Sequence, residues 1–250
     1  MTNELQTEVL STLALLEVQS VTCGKVRIGG SHDGGYVMAN KFDRNTIGYS
    51  IGVGPQVQWD FDMAGQGMVI HQYDHTVEGL PQVHANFRFT RLGIGPDLSN
   101  PELITLQEML NRNGHSEGSN MLLKIDIEGA EWDVFDALDY DILARFDQIV
   151  IEFHGFEFLR NEDFRERAKR VFSKLNYHHS PVHAHANNYA PVHIIHGVAV
   201  PDVIEMTYCL RSRFDFSPSH ELFPTPIDQP CNPENPDIYL GSFRFRRMES

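Results

Sequence analysis

The stretch Leu122-Leu123-Lys124-Ile125-Asp126-Ile127-Glu128-Gly129-Ala130-Glu131 decides the fold. With Met121 it opens as a short apolar run bounded by turn residues, the pattern of a buried strand. The run closes on three acids, with a glycine between the second and the third. Trp132, Phe135 and Leu138 then recur at helical spacing and read as the core face of a helix. A strand feeding straight into a helix is one half of a β-α-β unit.

Working outward, the same alternation repeats on both sides. Upstream, Ile47 to Val53 predicts a strand ending in Gly52-Val53-Gly54, with a helix over Gln56 to Gly65 and Pro55 at its first position, where a missing N–H costs nothing. Met68 to Tyr73 predicts a second strand ending at Asp74, and Phe87 to Ile94 a third. Asn100-Pro101-Glu102 opens a helix carrying Leu103, Leu106 and Leu110, which Gly114 stops. Downstream, Gln148 to Phe153 predicts a fifth strand with Glu152 and His154 near its end. Asn161 caps a helix bearing Phe164, Ala168, Val171 and Leu175. Val192 to Val200 and Val203 to Leu210 are separated only by Pro201-Asp202, which suits an antiparallel pair. Leu5, Val9, Leu13 and Leu16 give an amphipathic helix at the start.

The expectation is therefore an α/β chain with a mostly parallel sheet, an antiparallel edge hairpin and helices on both faces. It reads as one domain: residues 1–46 hold the first helix and a Gly-rich cap, 47–210 the core, and 211–250 a Pro-rich tail that wraps the surface. The chain has 250 residues, 41% hydrophobic and 22% charged, enough to bury a core. Lys plus Arg number 20 against 34 Asp plus Glu, a net charge of −14. That balance disfavours a broad nucleic-acid face, which needs basic groups to displace counterions. No apolar run approaches the roughly 20 residues of a membrane span. The first lysine is Lys25, so no basic secretory leader is expected, and Cys23, Cys209 and Cys231 are an odd set without CxxC spacing. Free thiols in a cytoplasmic chain are the expectation, and a zinc–thiolate site is not.

In an open parallel sheet, ligands bind beyond the carboxyl ends of the strands. Gly52 and Gly54 there would let backbone approach a ligand, and Asp74 is placed to accept from both hydroxyls of a ribose. The lesser alternative is that Gly52 and Gly54 only make a tight turn and Asp74 caps a helix. The third glycine of a dinucleotide GxGxxG is absent, which favours a nucleoside cofactor without pyrophosphate, such as S-adenosylmethionine.

The Leu122–Glu131 stretch resembles the KIDIEGAE signature of the FkbM-type family of class I S-adenosylmethionine-dependent methyltransferases. Arg27…Asp33-Gly34-Gly35-Tyr36, Ser50-Ile51-Gly52-Val53-Gly54, Tyr73-Asp74 and Ile151-Glu152-Phe153-His154-Gly155 agree with it. The resemblance implies a Rossmann-like class I fold of seven strands and methyl transfer, usually to a hydroxyl. Carried over by position, Gly52 and Gly54 would line the methionine part of the cofactor, Asp74 would hold the ribose and Asp126 would flank the reacting centre. Asp33, Gly34, Gly35 and Tyr36 would close over the cofactor. The end of the third strand, Arg91-Leu92-Gly93-Ile94-Gly95, offers no acid to read adenine.

An alcohol becomes a nucleophile as its proton leaves, with help from a general base or a metal. His154 is the candidate base, since imidazole titrates in the useful range, with Glu152 and Asp126 as the other catalytic candidates. Glu152 shares a strand face with His154, to orient the ring or to bind a metal with it. His154 would otherwise be a structural histidine closing a strand. Six of the thirteen histidines (His178, His179, His183, His185, His193 and His196) fall within 19 residues. His185 with Asp126, Glu152 and His154 makes a candidate divalent-metal set. Alternatively, His185-Ala186-Asn187-Asn188 would hydrogen-bond a polyhydroxylated substrate. Glu128 and Glu131 are either catalytic or acids favouring a helix start, the two readings balanced for Glu128 and the helix start preferred for Glu131. The leading function is O-methylation of a small hydroxylated acceptor, with S-adenosylmethionine as cofactor and a divalent metal as a candidate second one, neither membrane nor nucleic acid as partner, and a homo-oligomer compatible with the sequence. The alternatives are a metal-dependent hydrolase or oxygenase, or a non-catalytic binding module on the same fold.

Overall fold

The computed structural model describes residues 2–43 and 45–245. Seven strands form the central sheet: β1 (Ile47–Ile51), β2 (Val69–Tyr73), β3 (Phe87–Thr90), β4 (Met121–Ile125), β5 (Phe146–His154), β6 (His179–Ala186) and β7 (Val203–Leu210). Their order is β6-β7-β5-β4-β1-β2-β3. Pairings from β5 through β3 are parallel. β7 alone runs against its two neighbours, inserted between β5 and β6. The chain reverses direction between β1 and β4, so the carboxyl ends of those two central strands flank a crevice.

Among the described residues, six α-helices flank the sheet: α1 (Thr2–Leu13), α2 (Gln58–Gly65), α3 (Leu106–Arg112), α4 (Glu131–Ala137), α5 (Tyr140–Leu143) and α6 (Glu162–His178). The long apolar core lies on one sheet face, where Ile51, Ile125 and Ile151 meet Leu13 of α1, Met109 of α3, Phe135 of α4 and Phe172 of α6. Period-two alternation sends Leu122 and Val150 to the other face. They pack there with Trp59 and Met63 of α2 and with Ile28, Tyr36 and Met38. Those last three belong to an antiparallel hairpin, Lys25–Ile28 with Tyr36–Ala39. The second face is thus covered by one helix and a hairpin rather than by helices throughout. Gln148 of β5 fastens the hairpin: its Oε1 accepts from Ala39 N at 2.9 Å, and its Nε2 donates to Ala39 O at 3.1 Å.

Several expected boundaries shift. Pro55 stays in the turn and the helix starts at Gln58. The third strand ends at Thr90, because Gly93–Ile94 leaves the sheet to pair with Leu103–Ile104. Leu103 is therefore extended, and the helix waits for Thr105, whose hydroxyl accepts from Glu108 N at 3.1 Å. Asn161 caps α6 as expected, its Oδ1 accepting from Asp163 N and Phe164 N. The antiparallel edge exists but is built differently. Val192–Ile195 and Val198–Pro201 form their own small hairpin, and the edge pair is β6 with β7. The tail runs beside β6; Phe216–Pro218 pairs with Gln19–Val21, and Asp228 accepts from His183 Nε2 at 2.8 Å. No helix among the described residues is long and apolar enough to cross a membrane.

Candidate active site

The glycine turn after β1 is forced by a close backbone crossing. Gly52 has φ of +72°, and a Cβ there would lie 1.6 Å from the Asp126 carbonyl oxygen. Asp126 N donates to Ile51 O at 3.0 Å, and Lys124 Nζ donates to Gly52 O at 3.1 Å, so the β1 and β4 ends are stitched together. Gly54, at φ +54°, has no heavy atom within 4 Å of its would-be Cβ. Its bare face opens on a cavity of about 500 Å³ that runs from Asp33, Gly34 and Tyr36, past Gly52–Gln56 and Asp74, to Ile94 and Leu103. Gly35 does not line the cavity; a Cβ there would meet Gly30 O at 2.2 Å.

Asp74 closes β2 and is buried. Its Oδ2 accepts from Val53 N and Gly54 N, each at 3.0 Å, and its Oδ1 from Thr76 N and Oγ1, each at 2.7 Å. Burial alone would raise the carboxyl pKa, but these donors, Gly54 and Thr76 foremost, bring it below the ordinary aspartate value. All four lone-pair directions thus have partners in the chain itself. A diol bound here would exchange with the rotatable Thr76 hydroxyl first.

A second cavity of about 370 Å³ adjoins the first and shares Asp33, Asp126 and Glu128 with it. Its wall adds Glu152, His154, Asn187 and the exposed Tyr189. His154 lies among acids. Nδ1 is 3.2 Å from Glu131 Oε1, while Nε2 is 3.6 Å from Glu128 and 3.9 Å from each of Asp126 and Glu152. Burial favours the neutral ring, but the hydrogen bond to Glu131 and the charges of Glu131, Glu152 and Asp126 outweigh it and raise the pKa to about 9. Glu152 is almost wholly buried; desolvation, then Asp126 and Glu205, push its carboxyl well above the usual range. Asn187 Nδ2 donates to Glu152 Oε1 at 2.7 Å, and the Tyr36 hydroxyl lies 3.4 Å from both Asp126 and Glu152.

The ring is oriented by Glu131 rather than by Glu152. Glu131 is buried at 0% exposure and also accepts from Ile127 N and Gly129 N, each at 2.9 Å. A reading of Glu131 as a helix-start acid misses this, although its place as third acid of the decisive stretch was the signal. Sequence reasoning misses Glu205, whose sign is a lone acid inside the apolar run Val203–Leu210. The four candidate metal ligands divide. Asp126, Glu152 and His154 form one group of converging donors; His185 joins Glu205 and Cys231 in another. The remaining clustered histidines disperse. His179 Nε2 bonds Phe146 O, His183 pairs with Asp228, and His193 lies 3.6 Å from Asp202. Asn188 faces the tail, donating to Asn232 O, Asn235 O and Pro236 O, while Asn187 faces the cavity.

A mostly parallel sheet with paired cavities at its carboxyl rim, one beside a glycine turn and one among acids, defines an α/β protein of Rossmann-like, methyltransferase type. The methyltransferase FkbM domain matches residues 36–178, and the chain belongs to that family. No curated protein gives a significant match. Among solved structures, one named "Putative hemolysin from Streptococcus thermophilus" aligns with a TM-score of 0.36 and 13% identity, over 78% of this chain and 64% of that one. The likeness is too distant to bear on fold or function.

Proposed function

We propose that this chain is an S-adenosylmethionine-dependent methyltransferase that methylates a hydroxyl of a small, polar acceptor. The observation that carries the reading is the pair of cavities meeting at Asp126. The first suits a nucleoside cofactor. Its size falls within the roughly 300–1,000 Å³ of small-molecule pockets, the open side of Gly54 leaves room for a ligand, and Ile94 and Leu103 give an apolar slot for a base. Asp74 and Thr76 would hold the ribose, the Gly52–Gly54 backbone the amino-acid end, and Asp33–Tyr36 the roof. When bound, the cofactor supplies an electrophilic methyl group.

The second cavity holds the acceptor. Asp33, Asp126, Glu128 and Glu152 line it with no lysine or arginine. Uncharged polyols and amines are favoured there, and phosphates and carboxylates repelled. Asn187 and Tyr36 orient the acceptor and its neighbouring carboxylates. Without metal, the hydroxyl proton leaves toward Glu152, or toward His154 Nε2 once the pH approaches 9 and the ring is neutral. Asp126, Glu152 and His154 also have the donor types of a divalent-cation site, with Glu131 behind the ring as an outer carboxylate. A cation there would hold His154 unprotonated and lower the pKa of a bound hydroxyl.

Calorimetry with S-adenosylhomocysteine tests the reading, followed by mass spectrometry for methyl gain across hydroxylated acceptors with and without EDTA. Tight binding of the demethylated cofactor is expected, and Asp74→Ala should weaken it by about 1–3 kcal/mol. His154→Gln should depress turnover far more than cofactor affinity. Absence of binding, or an unchanged dissociation constant in Asp74→Ala, defeats the assignment.

A further inference from the structure

The strand register carries the site's row of polar groups across the sheet. Glu152 of β5 faces Glu205 of β7, and Glu205 faces His185 of β6. The tail then brings Cys231 against this end of the row. His185, Glu205 and Cys231 are all buried, and they come from three separate segments. Glu205 Oε2 lies 2.8 Å from His185 Nδ1, Glu205 Oε1 lies 3.3 Å from Cys231 Sγ, and Sγ lies 4.0 Å from Nδ1. A zinc ion with bonds of about 2.0 Å to nitrogen and oxygen and about 2.3 Å to sulfur sets neighbouring donors about 3.3–3.5 Å apart. With one donor atom from each residue, all three lie within 4.8 Å of one another, so small side-chain movements bring them to that spacing.

The surroundings suit a cation as well. His185 Nε2 lies 3.1 Å from both oxygens of Asp237, the outer carboxylate that fixes the ring and strengthens the other nitrogen as a donor. Glu205 converges with Asp33 and Glu152, and among the described residues no lysine or arginine forms an ion pair with Glu152 or Glu205. A buried excess of negative charge is costly unless paired or bound to metal. Nitrogen, oxygen and sulfur donors together favour a borderline-soft ion over magnesium or calcium.

We propose that His185, Glu205 and Cys231 bind zinc, with Asp237 as the carboxylate behind His185, and that the ion fastens the C-terminal tail to the β6–β7 edge. On binding, the Cys231 thiol and the His185 Nδ1–H that faces Glu205 each release a proton to solvent, so the two charges of the zinc ion replace two protons and the thiolate sulfur and the bared ring nitrogen take the metal. The ligands share no sequence spacing, which is why an odd cysteine count without CxxC argued against such a site. The proposal stands independently of methyl transfer.

The test is metal content after gel filtration of the full chain expressed with zinc, read by plasma mass spectrometry. About one zinc per chain is expected in the wild type. It should persist in Asp126→Asn and His154→Gln and disappear in Cys231→Ser and His185→Gln. Cobalt substitution should give a thiolate-to-metal charge-transfer band, and a chelator should lower the melting temperature of the wild type. A metal-free wild type, zinc retained by Cys231→Ser, or zinc lost in the Asp126 and His154 variants overturns the proposal. Should the Cys231 variant fail to fold, a wild-type cobalt spectrum without the thiolate band overturns it alone.

Discussion

His154 sits where four carboxylates converge, and its protonation state decides which mechanism the site can run. With a pKa near 9, the metal-free imidazole is charged at neutral pH and cannot accept a proton there. Nuclear magnetic resonance titration of the EDTA-treated protein should place the His154 midpoint near 9. Glu131→Gln should lower it by about one unit or more, since an adjacent opposite charge is worth that much. A wild-type midpoint at the ordinary value of about 6.5 would refute the carboxylate cage. It follows that turnover without metal should rise with pH toward 9, whereas an added divalent cation should restore it near neutrality by lowering the pKa of the acceptor hydroxyl. His154, Asp126, Glu152 and Asp74 were legible in the sequence because each ends an apolar run. Glu131, Glu205 and Tyr36 were less so, because their contacts cross between segments distant in the chain: the hydroxyl of Tyr36 reaches residues 90 and 116 positions away.

The elements explain which parts of the fold could be read. β4 and β5 are buried on both faces, so their apolar runs stand out. β6 is buried too, yet its sequence His179–Ala186 carries three histidines, which hid it as a strand. Those histidines are buried by pairing with Phe146 O, Asp228, Glu205 and Asp237, partners that no periodicity reveals. The β1–β4 crossing is stricter than sequence suggested. Gly52→Ala combines a left-handed φ with a backbone clash, and should destabilise the protein by at least about 3 kcal/mol in chemical denaturation. Gly54→Ala meets open space in the protein and should cost only about 1 kcal/mol of stability, while weakening S-adenosylhomocysteine binding because the methyl group enters the cavity. Equal stability losses in the two variants would contradict this division of roles.

At the scale of the whole molecule, buried histidines of opposite kind bracket the pH of greatest stability. Burial holds His71 and His179 neutral, with pKa values of about 4. Between 4 and about 6.5 the unfolded chain binds protons at these two sites that the folded chain refuses, so stability is lost as pH falls through that window. His154 has the opposite sign. Its folded value of about 9 lies above the unfolded value, so its contribution is complete below about 6.5 and is lost as pH rises toward 9. Glu152, also raised, works in the same direction as His154. From the histidines alone the stability curve peaks near pH 6.5, while Glu152 adds a decline that begins near its ordinary value of about 4.3. Urea unfolding of EDTA-treated protein should show a decline on the order of 2–3 kcal/mol from the peak to pH 9, discounted for the partial exposure of the ring. His154→Gln should shrink this alkaline limb, to which the raised His185 contributes with the same sign, while leaving the acid limb in place, and His179→Gln should shrink the acid limb that it shares with His71. An alkaline decline undiminished in His154→Gln would show that the carboxylate cage does not hold the proton in the folded state.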